Sequence, residues 1–185
     1  MDVSTLLSSI NTGLSALKFR GEQKQRFFQQ VIDPLYVSLI ASIKDYDSVL
    51  QELREQSEDA VRRTDLDNEA VRKMQKTVNK LRTAMYYDRR AVGSIAQTLS
   101  ERPEVEIKSF GNRILEIFSF QSGYDSPITS DLGRLVDQIA FSTEDEYLKQ
   151  LASHRDQIAH FQNHVRTKRP KLGIEHAALK LKAFS

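Results

Sequence analysis

The sequence predicts an all-α helical bundle, and three observations carry that prediction. Apolar residues recur at spacings of three and four along most of the chain. Glycine and proline are scarce, 7 and 4 in 185 residues, which favours long helices over many turns. No run alternates apolar and polar residues over the length of a strand. A hydrophobic share of 39% and a charged share of 28% exclude a disordered chain. A chain of this length folds as one domain with a sizeable core. Residues 1–185 are therefore read as a single domain, with N-terminal helices over 1–100 and C-terminal helices over 104–185.

Val3, Leu6, Leu7, Ile10, Leu14 and Leu17 place a first helix over about 3–19. A second begins near Glu22 and carries Phe27, Phe28, Val31 and Ile32. Asp33-Pro34 then predicts a kink or a restart, because Asp caps helices and Pro suits their first turn. Leu35, Leu39, Ile43, Tyr46, Leu50 and Leu53 form a seam that extends this element to about Arg63. Thr64 to Asn68 is a turn with several N-cap residues. Val71, Met74, Val78, Leu81, Met85, Val92, Ile95 and Leu99 mark the next long helix. The expected core of the fold is thus a long antiparallel hairpin, about 22–63 and 67–100.

Arg102-Pro103 ends that unit, and shorter C-terminal helices follow. One covers Glu104 to about Phe120, with Phe110, Ile114, Ile117 and Phe118 inward. Gln121 to Pro127 is a loop. Ile128 to Phe141 reads as a helix on Leu132, Leu135, Val136 and Ile139. Thr143 and Glu146 form a capping-box pair. They open a helix with Tyr147, Leu148, Leu151, Ile158, Phe161 and Val165 inward. Lys168-Arg169-Pro170 is expected to close it, with a last short helix over Ile174–Phe184.

The absence of cysteine excludes disulfides and thiolate metal sites. Met1-Asp2-Val3-Ser4 opens no basic-then-apolar leader, and no run approaches the roughly 20 apolar residues of a membrane span. These features predict a cytoplasmic protein without a membrane partner. The net charge of +2 hides an asymmetry. His154 to Lys182 holds seven Lys/Arg against Asp156 and Glu175, whereas acids exceed bases elsewhere. Arg166, Lys168, Arg169 and Lys171 are the cations expected to meet phosphate. A solvated helix end is the plainer account of the same charges.

All four histidines lie between His154 and His176, and one closes the string Arg155-Asp156-Gln157-Ile158-Ala159-His160. RNA is cut when its 2′-hydroxyl attacks the adjacent phosphate. A base must take that proton, and a cation must stabilise the pentacoordinate phosphorus. Histidine suits proton transfer near neutrality. Arginine grips phosphate oxygens in a fork. His160 is thus the candidate general acid/base and Arg155 the phosphate clamp. Asp156, four residues before His160, shares its helix face and is placed to orient the imidazole. Arg155-Asp156-x3-His160 within a late helix resembles the Arg-x4–6-His motif of the HEPN superfamily. That resemblance implies a dimerising helical bundle and metal-independent cleavage of RNA, with no cofactor, in a toxin–antitoxin or antiviral defence setting. On a regular helix Arg155 and His160 point about 140° apart, so a distorted turn or two copies of the chain are required. A merely structural role predicts instead an Asp156–His160 surface pair, and an Arg155 bridge to Asp137 or Glu144.

Other constellations are weaker. Arg169 to His176, with six intervening residues, also meets the x4–6 spacing but contains Pro170 and Gly173. His160 and His164 have zinc spacing, yet Phe161 stands where a metalloprotease needs Glu and no third ligand is fixed. Tyr86-Tyr87-Asp88-Arg89-Arg90 offers stacking and phosphate contact, or simple helix packing. Two non-enzymatic readings stand beside the ribonuclease. One is an interaction or scaffold module: the seam from Leu35 to Leu53 facing Val71 to Leu99 is longer than one compact bundle requires, and a projecting hairpin of this kind commonly supplies a partner surface. The other is a helical nucleic-acid binder using the basic C-terminal segment without catalysis.

Overall fold

The computed structural model describes residues 3–63, 68–84, 86–118, 134 and 136–185. Side chains are described for these except at 3–7, 63, 81–84, 86–90, 118, 144 and 145. The described residues are helical almost throughout, with no strand among them. The all-α bundle is therefore what forms.

Helix α1 spans Val3–Ala16 and turns through Gly21, whose φ of 52° lies in the left-handed region that glycine tolerates best. Helix α2, Gln23–Phe27, runs into a π-helical turn at Phe28–Ile32 and then into α3, Asp33–Arg63. The expected kink or restart at Asp33-Pro34 is met by this widened turn. The Asp33 amide donates to the Phe28 carbonyl five residues back, so the ladder changes register just before Pro34, which has no N–H to donate. The α3 seam is buried as the spacing predicts, from Leu35 and Leu39 at 0% exposed to Leu53 at 0%.

Helix α4, Asn68–Ala84, returns along α3. Gln56 donates to Thr77, and Ser57 Oγ lies 3.6 Å from Met74 Sδ, so partners rise along one helix as they fall along the other, and the pair is antiparallel. Helix α5, Tyr86–Ser100, packs chiefly on α6, Val105–Phe118, and also on α1. The second arm of the expected hairpin thus divides its partners: α4 lies on α3, and α5 pairs with α6. The α5–α6 approach is close at Gly111, where an added Cβ would lie 2.6 Å from the Ser100 amide nitrogen and 2.7 Å from the Ala96 carbonyl oxygen. Of the predicted turn at 64–68, only Asn68 is described, and it opens α4; the rest of that turn, the loop at 121–127 and most of the predicted 128–141 helix lie outside the described residues. Of its described residues, 134 and 136–140 are helical, with Val136 and Ile139 buried, and Phe141 is in a turn.

The C-terminal region departs most from expectation. Instead of two short helices there is one, α7, of 41 residues from Glu144 to Phe184, and Pro170 sits inside it. Thr143 caps it in extended conformation, its amide and hydroxyl both donating to the Glu146 carboxylate. A proline in a helix interior costs about 3 kcal/mol. Beyond Pro170, however, the helix buries Leu172 and Leu179 fully, each contributing about 1.5–3 kcal/mol. It also gains the Glu175–Arg113 ion pair. Burial on the far side outweighs the defect, so the helix continues.

Helix α7 lies antiparallel to both α3 and α6. Asp33–His176 and Ser57–His154 fix it against α3. Against α6, Lys168, Glu175 and Lys182 recur every seven residues and pair with Glu116, Arg113 and Glu106. Lys182 holds the Glu106 carboxyl below its ordinary pKa by hydrogen bonding, and Lys168 does the same for Glu116. The long α3 seam is covered within the chain by α4 and α7. Leu148, expected inward, is 41% exposed because it falls on the outer side of α7.

Candidate nucleic-acid interface on helices α3 and α7

Three of the four histidines are absorbed by the fold. His154 is 0% exposed, with Nδ1 2.9 Å from Ser57 Oγ. Ser57 gives its proton to the Leu53 carbonyl, so His154 Nδ1–H donates to the hydroxyl. Its Nε2 is then a buried acceptor without a partner among the described residues. Burial pushes this imidazole down to about 4, and it is neutral at pH 7.

His164 Nε2–H donates to the Glu116 carbonyl at 2.8 Å. That carbonyl lies in the last turn of α6, where intrahelical partners run out, so His164 acts as a side-chain cap. His176 stacks on Tyr36 with ring centroids 4.0 Å apart and donates to Asp33 at 3.0 Å. The zinc-spaced pair therefore has one member already committed, and no metal-binding group of three or more ligands occurs among the described residues.

His160 differs. It is exposed, and its only ring contact among the described residues is the adjacent Phe161. Asp156 does not pair with it. Its carboxylate instead faces Arg155 at 3.4 Å. Arg155 makes that contact rather than a bridge to Asp137. The α7 backbone is regular α-helix through 155–160, so no distorted turn brings Arg155 and His160 together. The three expected catalytic residues are all at the surface, but one chain does not converge them.

Arg155 belongs to a different constellation. Arg155, Gln162, Arg166 and Arg169 fall within about 60° of one another on α7. The last three line a groove between α3 and α7 with a cavity volume of about 810 Å³. Lys44, Asp47, Gln51 and Arg54 line it from α3, and Tyr36 and Gly173 close one end. The antiparallel register set by Asp33–His176 and Ser57–His154 brings Lys44 level with Arg166, and Arg54 level with Arg155–Asp156. Four cations thus line the groove against the single carboxylate of Asp47. Arg54 is held by Glu58 at 2.8 Å. Lys44, Arg166 and Arg169 have no hydrogen bond or ion pair among the described residues. Like charges side by side repel, and an anion between them relieves that repulsion.

Comparison of the chain with protein families, curated proteins and solved structures found no match. The geometry alone carries the functional reading.

The four cations expected to meet phosphate separate in the structure. Arg166 and Arg169 face the groove. Lys168 turns the other way, 3.0 Å from Glu116 on α6. Lys171 is exposed about 140° around α7 from Arg166. Lys44 and Arg54 were missed by reading the C-terminal segment alone. Their signal is the spacing Tyr36, Lys44, Asp47, Gln51, Arg54, a polar stripe flanking the apolar seam of α3. The tyrosine–arginine run at 86–90 lies on the α5 backbone, with side chains outside those described. No helix among the described residues is long and apolar enough to cross a membrane.

Proposed function

We propose that this protein binds RNA by its phosphate backbone along the α3–α7 groove and does not cleave it within a single chain. The observation that supports this reading is the arginine stripe of α7 lying level with Lys44 and Arg54 across an open groove. Gln51, Gln162 and Asn163 add neutral donors along the same walls. Phosphate contacts of this kind give affinity without sequence choice and make binding salt-dependent.

Anisotropy of labelled single-stranded RNA across a salt series tests it. Removing two phosphate contacts with Arg166→Ala/Arg169→Ala should reduce the slope of log K against log salt by about 1.4. Lys168→Ala should leave the slope unchanged, because that lysine serves Glu116. Equal losses in both variants would reduce the groove to a diffuse basic tail. Single-stranded DNA and duplex RNA, run in parallel, show whether the 2′-hydroxyl or strand form matters.

A second reading follows from the exposure of both Arg155 and His160. Two copies of the chain meeting on this face would supply the convergence that one helix denies, giving the HEPN-like ribonuclease in defence or toxin–antitoxin chemistry that the motif implies. Incubation with RNA in EDTA decides it. Cleavage that disappears in both Arg155→Ala and His160→Ala, with dimer and helicity retained, supports it. Intact RNA from a protein that binds it leaves the non-catalytic reading alone.

A further inference from the structure

The outer face of α7 changes character after Pro170. Pro170, Ile174, Ala177, Leu181 and Phe184 follow one another at spacings of four, three, four and three, and all are exposed. Ile174 is 69% exposed, Leu181 75% and Phe184 53%, among the most exposed large apolar side chains described. Their arc spans about 80° of the helix, narrower than the 100° or more of a face that sinks into a core, and close to a coiled-coil seam. Ala177 at its centre leaves a hollow that admits a side chain from a facing helix.

The flanks say what kind of helix fits. Lys171 borders the ridge on one side and Lys180 on the other. Neither has a hydrogen bond or ion pair among the described residues. The only carboxylate from 170 to 184, Glu175, points to the opposite side, where it accepts from Ser109 and Arg113. A second copy of this chain would set lysine-flanked ridges against each other, which like charge disfavours. A lipid surface calls for a broader apolar face than this seam offers.

We infer that the ridge Ile174–Ala177–Leu181–Phe184 docks an amphipathic helix of a partner protein, one with an apolar seam flanked by Asp or Glu. This ridge begins at Pro170, where the α3–α7 groove ends, and the inference does not rest on the RNA reading.

The probe is a labelled three-heptad peptide with Leu at its seam positions and Glu at the flanking ones, and a control with Lys replacing Glu. Binding to the full chain is read by anisotropy. The Glu peptide should bind about tenfold or more tightly than the Lys peptide, and Ile174→Asp or Leu181→Asp should weaken it by about tenfold or more. Both positions are exposed, so helicity and melting temperature should hold in the variants. Absence of binding, equal binding of the two peptides, or retention by both variants overturns the inference. Self-association in sedimentation that these variants abolish assigns the ridge to a second copy and overturns it. So does vesicle binding, to phosphatidylcholine with phosphatidylserine, that the same variants abolish.

Discussion

The inner and outer faces of α7 use the same residue types for opposite ends. On the inner face His154, His164 and His176 are a buried hydrogen-bonding group, a helix cap and a stacking partner. On the outer face His160 touches little but its neighbour. Lys168 is locked to Glu116, whereas Arg166 and Arg169 face the groove with no hydrogen bond or ion pair among the described residues. A histidine or a cation in this helix is therefore structural or available according to what the neighbouring helices set opposite it, not its sequence neighbourhood. The comparison separates stability from function, and each variant below should move one and spare the other.

The largest expected effect is on the inner face. Leu172→Ala removes a fully buried side chain at the α7 interface just past Pro170. It should cost about 2–5 kcal/mol in urea unfolding. RNA binding by the folded fraction should hold. A loss under about 1 kcal/mol would mean that the helix beyond Pro170 contributes little to the bundle.

His154 gives the next test. Burial lowers its pKa from 6.5 to about 4, so the unfolded chain binds the proton more tightly than the folded one. The contribution is complete above pH 6.5 and is lost progressively as pH falls to 4. It is on the order of 3 kcal/mol across that window. His154→Leu should flatten the pH dependence of stability between those limits, while His160→Ala should preserve it. A wild-type stability constant from pH 7 to pH 4.5 would contradict the burial of this ring.

Pro170→Ala probes the junction between the two regimes. It restores an N–H to the helix interior, worth about 3 kcal/mol, against up to about 1 kcal/mol of lost rigidity in the unfolded chain. A net gain of about 2 kcal/mol in chemical denaturation is expected. No gain would show that the proline ring is fully accommodated where it stands.

That junction also shows what the sequence made legible. The helical class, the α3 seam and the Thr143–Glu146 cap were readable because each rests on local spacing or capping chemistry. The continuity of α7 was not, because Pro170 and its basic neighbours look like a helix end. The contrary signal was present. Leu151, Ile158, Val165, Leu172 and Leu179 recur every seven residues and pass through Pro170 in phase. The divided second arm of the hairpin was hidden for another reason: Val92 to Leu99 shows which face is apolar, but not that α6 rather than α3 covers it. At the site, Arg166 and Arg169 were legible as charge. Their partners across the groove, Lys44 and Arg54, required the antiparallel register of α3 and α7, which no local pattern in either helix specifies.

The smallest effects belong to the outer face and bear on chemistry alone. Arg155→Ala and His160→Ala change exposed side chains with no long-range contact among the described residues. Each should alter stability by less than about 0.5 kcal/mol. Their effects on RNA should nevertheless differ. Arg155 extends the Arg166–Arg169 stripe, so its loss should weaken salt-sensitive binding by about one phosphate contact. His160 lies about 140° around the helix from Arg155, and its loss should leave binding by a single chain unchanged. A parallel loss in both variants, under conditions where the chain is monomeric, would place His160 on the RNA and undo the separation of the faces. If it appears only where the chain dimerises, the two residues converge across copies, and the ribonuclease reading gains the geometry that one α7 lacks.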